Sequence, residues 1–266
     1  MILELSNEDR AIVRPLFETH RRARAIIFPA LDQGRGIVVS NSLETPTVAR
    51  LHLVTINAVA GDSSSPDAKE IIHSIEPMQA VFAPDSSWAQ IIKEEWGEQL
   101  GVLQRIKLSP KSLEVKHLKH LKSQLPPGYT LESMDLETIK RLDKRKSMHI
   151  LNFFGSSEEF CKMGLAFCIK FEGKVVSMAS TYTPFTDMFE VEIDTFDEQH
   201  RRKGLATVAS AALLVYALEH GIVPHWDAEN QASLHLALKL GYVEPDYWEA
   251  YYQKPHGLTN ASLLSE

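Results

Sequence analysis

Apolar and polar positions along this chain switch repeatedly between a period of two and a period of three to four, and the switches mark out strands and helices in alternation. Residues 7–24 read as one or two helices, followed by Gly34, Gly36 and the apolar run Ile37-Val38-Val39. Alternation over 48–54 predicts a strand. Residues 67–75 predict a helix behind the Gly-Asp-Ser-Ser-Ser-Pro loop at 61–66. Residues 78–82 are strand-like, Ser86 or Ser87 suits the cap of a helix running to about Gln99, and 102–108 returns to a strand.

Residues 111–122 predict a helix carrying Lys111, Lys116, His117, Lys119, His120 and Lys122, closed by Pro126-Pro127-Gly128. It reads as a connector, and its cations as a solvated face or an anion-binding surface. The expected boundary therefore lies near Pro126, giving segments 1–125 and 126–266. In the second segment, 129–134 suits a strand, 136–146 a helix, and 149–163 a helix broken at Gly155. Three strands follow at 165–171, 174–182 and 188–195, then a long Ala- and Leu-rich helix at 204–220 ended by Gly221. A strand at 222–227, a helix at 231–240 ended by Gly241, and strand from Tyr242 onward complete the pattern. No internal repeat is apparent at the level of sequence.

Composition narrows the class. With 266 residues, 44% hydrophobic and 24% charged, the chain can bury a core and suits two domains. Its net charge of −7 argues against a general nucleic-acid binder. Two cysteines, Cys161 and Cys168, make no disulfide framework or zinc spacing; both read as core residues, and a reducing cytoplasm suits them. The amino terminus lacks a basic region followed by an apolar stretch, and no apolar run nears the ~18 residues of a membrane span, so neither secretion nor membrane insertion is expected.

The densest candidate chemistry is Arg201-Arg202-Lys203-Gly204-Leu205-Ala206, placed where the strand ending near Thr195 gives way to the long helix. A helix amino terminus offers unpaired amides and a positive dipole end, and glycine lets a phosphate approach the backbone. The amides of Gly204, Leu205, Ala206 and Thr207 are the expected donors, with the three cations beside them. Taken alone, the hexapeptide equally suits a basic turn that starts a helix.

In context, Arg201-x-x-Gly204-x-Ala206 resembles the coenzyme A-binding motif of the GNAT N-acetyltransferase superfamily. Asn230-x-x-Ser233-x-x-Leu236-Ala237-x-Lys239-x-Gly241-Tyr242 resembles that superfamily's later helix along the pantetheine arm. The resemblance covers residues 129–252. A narrower likeness, in residues 160–168, 173–177 and Pro224-x-Trp226-Asp227, is to the branch of zwittermicin-resistance-type acetyltransferases. The superfamily resemblance implies an α/β (α+β) fold: a mixed, mostly antiparallel twisted sheet flanked by helices, behind a smaller α/β amino-terminal domain. It also implies acetyl-coenzyme A as cosubstrate, no metal, and transfer of acetyl to a primary amine of a small molecule by direct attack in a ternary complex. A homodimer is a family-level expectation, with neither nucleic acid nor membrane as partner.

Acyl transfer needs a deprotonated amine, a polarised carbonyl and a protonated leaving thiolate. Glu190 and Glu192 are two apart on a strand and so share a face. By the resemblance Glu192 is the preferred general base and Glu190 the second choice; the competing reading is that both are ordinary residues on a polar strand face. A backbone amide between Ile193 and Thr195 would meet the thioester carbonyl, with Thr195 and Phe196 lining the pantetheine channel. Asn230 and Ser233 would bond the pantetheine amides, although Asn230 also suits a helix cap. One position departs from the pattern: the superfamily's frequent tyrosine acid corresponds to Ala237. Tyr182, Tyr242 or water are the substitutes, and His235 faces elsewhere on the helix. Trp226 and Asp227 suit either an acceptor pocket or core. Two other readings stand beside the enzyme: a coenzyme A-binding sensor without turnover, and acylation of a protein amine.

Overall fold

The computed structural model describes residues 2–255, which divide into two compact units. One takes in the chain up to Arg105 and from Trp248 onward; the other is Ile106–Tyr247.

The first half of the chain runs through β1 (Leu3–Glu4), two 3-10 turns (Asp9–Ile12 and Arg14–Thr19), α1 (Arg24–Asp32), β2 (Ile37–Ser40), β3 (Val48–Leu53) and β4 (Ile56–Gly61). It continues with α2 (Pro66–His73), β5 (Ala80–Phe82), α3 (Ser86–Trp96) and β6 (Leu100–Ser109). The second half runs through α4 (Val115–Lys122), β7 (Tyr129–Ser133), α5 (Leu136–Lys140), α6 (Lys144–Phe154), α7 (Ser157–Met163), β8 (Ala166–Phe171), β9 (Lys174–Thr181) and β10 (Met188–Thr195). It closes with α8 (Leu205–Glu219), β11 (Val223–Ala228), α9 (Gln231–Leu240) and β12 (Val243–Gln253).

In the first unit β1, β2, β3 and β4 pair antiparallel in turn, β4 pairs β5 in parallel, and β5 pairs β12 antiparallel at Val81↔Tyr251. In the second, β7, β8, β9 and β10 pair antiparallel in turn, β10 pairs β11 in parallel, and β11 pairs β6 antiparallel from Trp226↔Leu108 to Ala228↔Ile106. The two plans are the same. Helical segments follow the first strand, one helix joins the fourth strand to the parallel fifth, and another leaves the fifth. Each sixth strand comes from the other half of the chain. The sequence showed no repeat because what is repeated is pairing order, not side chains.

The first unit's core gathers Val48, Val59, Ile71, Ile72, Val81 and Ile92 around the indoles of Trp88 and Trp96. The second unit's core is built on α8, which is apolar on every side. Val208, Ala209, Leu213 and Ala217 pack on Ile169, Val176 and Phe189, while Ala211, Leu214 and Val215 pack on Trp226, Leu234 and Tyr242. A helix hydrophobic all round must be enclosed.

Three expectations change. Residues 7–24 form two short 3-10 turns, with Pro15 in the first turn of the second, and the helix lies later, at α1. The helix expected over 136–146 is cut at Asp143, whose carboxylate caps α6 at the Lys146 amide. The basic helix α4 is no free connector: Leu118 and Leu121 belong to the core beside Trp226, so Pro126 falls inside the second unit. At the surface Lys119 of α4 pairs with Glu219 at 2.7 Å and His117 Nε2 lies 2.9 Å from the Lys239 carbonyl, while Lys111, ahead of the helix, pairs with Glu244.

Candidate active site

The site is set by where two strands part. The β10–β11 ladder runs from Met188↔Val223 to Glu190↔His225, after which β11 turns to pair with β6. Residues 191–195 of β10 keep β9 on one side and face a gap on the other. The alternation of the backbone says which groups face it. The Glu190 carbonyl accepts from the Tyr182 amide, and the Phe196 amide donates to the Val176 carbonyl, so even-numbered residues aim their peptide groups at β9. The odd-numbered residues, Ile193 and Thr195 among them, aim theirs into the gap. An acceptor atom lying there would extend the sheet.

Beyond Thr195 a 3-10 turn (Glu198–His200) leads into the basic loop. Arg202 (φ 58°) and Gly204 (φ 79°) both adopt left-handed backbone, a conformation that gathers successive amides into an anion-binding concavity. Gly204 caps α8 without a side-chain hydrogen bond, and α8 carries no acid in its first turn. By contrast α2, α3, α6 and α9 each have a side-chain cap. Arg201, Arg202, Lys203 and Gly204 are exposed, Ala206 is half-buried, and Leu205 and Thr207 turn inward. These residues fit a diphosphate. Arg201 folds back, its Nε donating to the Thr195 carbonyl at 3.2 Å, and so ties the loop to the end of β10. His200 is buried, with Nδ1 2.9 Å from the Tyr129 hydroxyl, which anchors the loop's entry to β7. That contact joins residues 71 apart, and no local motif announces it.

The two carboxylates differ in burial and in partner. Glu190 is buried, with Oε2 at 2.6 Å from Lys107 Nζ on β6, also buried. Glu192 is half-buried one pleat further along the same face, opposite Ser180 of β9. Sequence reasoning missed Lys107, and no local signal marks it: its strand also carries Gln104 and Arg105, and its burial comes from pairing with β11. Tyr182, His149 and Phe153 cluster beside Glu190: the Tyr182 ring centroid is 5.0 Å from His149 and 4.6 Å from Phe153. Burial pushes His149 down to about 4, against a smaller upward pull from the Thr181 carbonyl, so its ring is neutral at pH 7.

The remaining candidates sort as follows. Asn230 caps α9, its Oδ1 accepting from the Ser233 amide at 3.0 Å, while Ser233 Oγ accepts from Trp226 Nε1 at 3.0 Å. Trp226 is core. Thr195 Oγ1 lies 3.0 Å from Ser177 Oγ, and Phe196 is buried with Lys146 Nζ 5.3 Å from its ring centroid. Ala237 is fully buried, so the superfamily's tyrosine position holds no polar group. Tyr242 is no ready acid: its hydroxyl is buried and donates to the Pro224 carbonyl at 3.0 Å, and burial first, then nearby Glu190, holds its pKa well above the usual value. Cys161 is exposed rather than core; Cys168 is buried, and burial raises its thiol to about 11. His235 is exposed. Among the described residues no group of three or more His, Cys, Asp or Glu is placed to hold a metal, and no helix is long and apolar enough to cross a membrane.

A family model described as GNAT acetyltransferase matches residues 14–251. A Bacillus subtilis (strain 168) protein described as the uncharacterized N-acetyltransferase YdfB is 27% identical over 205 residues, covering 73% of this chain and 76% of that one. The crystal structure of a GCN5-related N-acetyltransferase-like protein from Streptococcus suis 89/1591 superposes with a TM-score of 0.77 at 27% identity, covering 94% of this chain and 100% of its own. A tandem GNAT protein from the clavulanic acid biosynthesis pathway shares the fold, with a TM-score of 0.57 at 12% identity over 98% of this chain and 99% of its own.

Proposed function

Since the chain belongs to the GNAT acetyltransferase family, we propose that it transfers the acetyl group of acetyl-coenzyme A to a primary amine of a small molecule, by direct attack in a ternary complex. The observation that carries this reading is the β10 edge, freed where β11 turns away and leading into the uncapped amino terminus of α8. Gly204, Leu205, Ala206 and Thr207 would hold the diphosphate through their amides, with Arg202 and Lys203 adding charge. The Ile193 and Thr195 backbones would align the pantetheine arm along the gap. Bound there, acetyl-coenzyme A supplies an activated thioester.

The rest falls to this chain's own groups. Glu192 takes the amine's proton as general base. Glu190 is the weaker candidate, because a carboxylate bonded to a buried ammonium is stabilised in its ionised form and gives up that bond to accept a proton. An amide of the β10 edge donates to the carbonyl oxygen as negative charge develops there. The leaving thiolate is a stable anion, and Tyr182 or water serves it.

Thermal shift with acetyl-coenzyme A, coenzyme A and ATP tests the cofactor: the first two should stabilise the chain, and the absence of any stabilisation would overturn the reading. Thiol release across an amine panel tests turnover. The buried Ala237 and the engaged Tyr242 hydroxyl favour the sensor reading to the extent that they remove acids, and tight binding with background release would establish it. Glu192→Gln should leave cofactor binding intact and slow transfer on the order of 10²-fold at neutral pH. A pH–rate profile identical to wild type would remove Glu192 from the mechanism.

A further inference from the structure

The first unit repeats the second unit's plan, so its counterpart of the coenzyme A groove can be located strand by strand. Its β4–β5 ladder runs from Ile56↔Ala80 to Ala58↔Phe82, three residues like the β10–β11 ladder. Superposing these parallel ladders sets Val59 on Val191 and Gly61 on Ile193. The backbone phase agrees. The Thr55 carbonyl accepts from the Ala80 amide on the β5 side, and the Asp62 amide donates to the Thr47 carbonyl on the β3 side. Val59 and Gly61 therefore turn their peptide groups into the gap, as Val191 and Ile193 do.

Here the gap is filled from within. The Val59 carbonyl accepts from His20 Nε2 and the Gly61 carbonyl from Trp88 Nε1, each at 2.8 Å. Trp88 has no exposed surface and His20 almost none. Trp88 is the third residue of its helix after the cap Asp85, the place that Ser233 takes in α9 after the cap Asn230. A small hydroxyl in one copy is thus an indole in the other. The phosphate end differs too. The first turn of α2 is capped by Ser65 and carries Asp67, and Asp62 Oδ1 accepts from the Ser64 amide at 2.9 Å and its hydroxyl at 2.7 Å. Two acids and a cap stand where α8 has three cations and no cap. Between the first turns of α2 and α3 lies a surface cleft of about 440 Å³ lined by Ser63, Ser64, Ser86 and Ser87; its one lining cation, Lys69, is paired with Glu95 at 2.6 Å.

We infer that the first unit is a second copy of the acetyltransferase fold whose cofactor groove is closed by Trp88 and His20, so that each chain holds one coenzyme A, in the second unit. This rests on the cofactor reading above. The Trp88 indole and the His20 imidazole take the hydrogen bonds that a bound pantetheine arm would otherwise compete for, and the acids at α2 repel a diphosphate.

Isothermal titration of the full chain with coenzyme A should give one site per chain. Gly204→Val, checked for native circular dichroism, should then lose at least about tenfold in affinity with no second site emerging. Two sites in the wild type would overturn this inference and leave the cofactor reading standing; undiminished binding in a folded Gly204→Val chain would overturn it together with the placement of the diphosphate at Gly204, and no binding at all by the wild type would overturn both readings. A second readout follows Trp88 itself. Its indole N–H resonance, identified as the one lost in Trp88→Phe, should keep its position and slow exchange at saturating coenzyme A. Loss of that protection on adding ligand would show the groove opening and would sink the proposal.

Discussion

At the scale of single residues, the electrostatics of burial make the sharpest predictions. Lys107 and Glu190 are both buried and only 2.6 Å apart, so removing one strands the other's charge. Lys107→Met should cost about 3–5 kcal/mol in denaturant unfolding, and the double variant Lys107→Met, Glu190→Met should recover most of it. Additive losses would mean that the pair is not coupled. His20 and His149 act through pH. Both are held near 4 chiefly by burial, opposed for His20 by the Val59 carbonyl and the charge of Asp85. A folded pKa below the unfolded 6.5 means that the unfolded chain binds more protons in between. Stability should therefore be full above about pH 6.5 and fall towards pH 4, by about 3 kcal/mol for His20. His20→Gln keeps a donor for Val59 and removes the titration, so its stability should vary less steeply over that window. An unchanged slope would assign the acid sensitivity to other groups.

At the scale of elements, the chemistry-bearing segment was readable because its signals are local. Gly204, Gly221 and Gly241 bracket α8 and α9, and β10 alternates cleanly. What escaped notice lacked any period. The strand β4 (INAVAG) is buried on both faces, so it does not alternate; α1 is buried almost throughout and holds Pro29, so it shows no stripe. The gap beside β10 was unreadable for a different reason, since it depends on β6 claiming β11 from far along the chain. The loop before α8 offers a direct check. Gly204 sits at φ 79°, and an added Cβ there would meet no atom within 4 Å, so Gly204→Ala should cost only about 1 kcal/mol, through backbone strain alone. Its effect on coenzyme A should be larger, while affinity for pantetheine, which lacks the diphosphate, should hold. Equal losses for both ligands would place the phosphates elsewhere.

At the scale of the whole chain, the consequence lies in the exchange of sixth strands. A fragment of residues 126–266 contains every residue proposed for cofactor binding, and by sequence it looks self-sufficient. It lacks β6 and α4, however. Without them the outer edge of β11 at Trp226, Asp227 and Ala228 loses its partner, the core around Trp226 loses Ile106, Leu108, Leu118 and Leu121, and Glu190 loses Lys107. Burying four such side chains is worth several kcal/mol at about 25 cal/mol per Å², comparable to the whole stability of a domain. The fragment should therefore aggregate or show no cooperative unfolding, whereas one spanning 100–255 should unfold cooperatively and bind coenzyme A. Equal stability of the two by thermal melting would show that β6 and α4 are dispensable to the second unit.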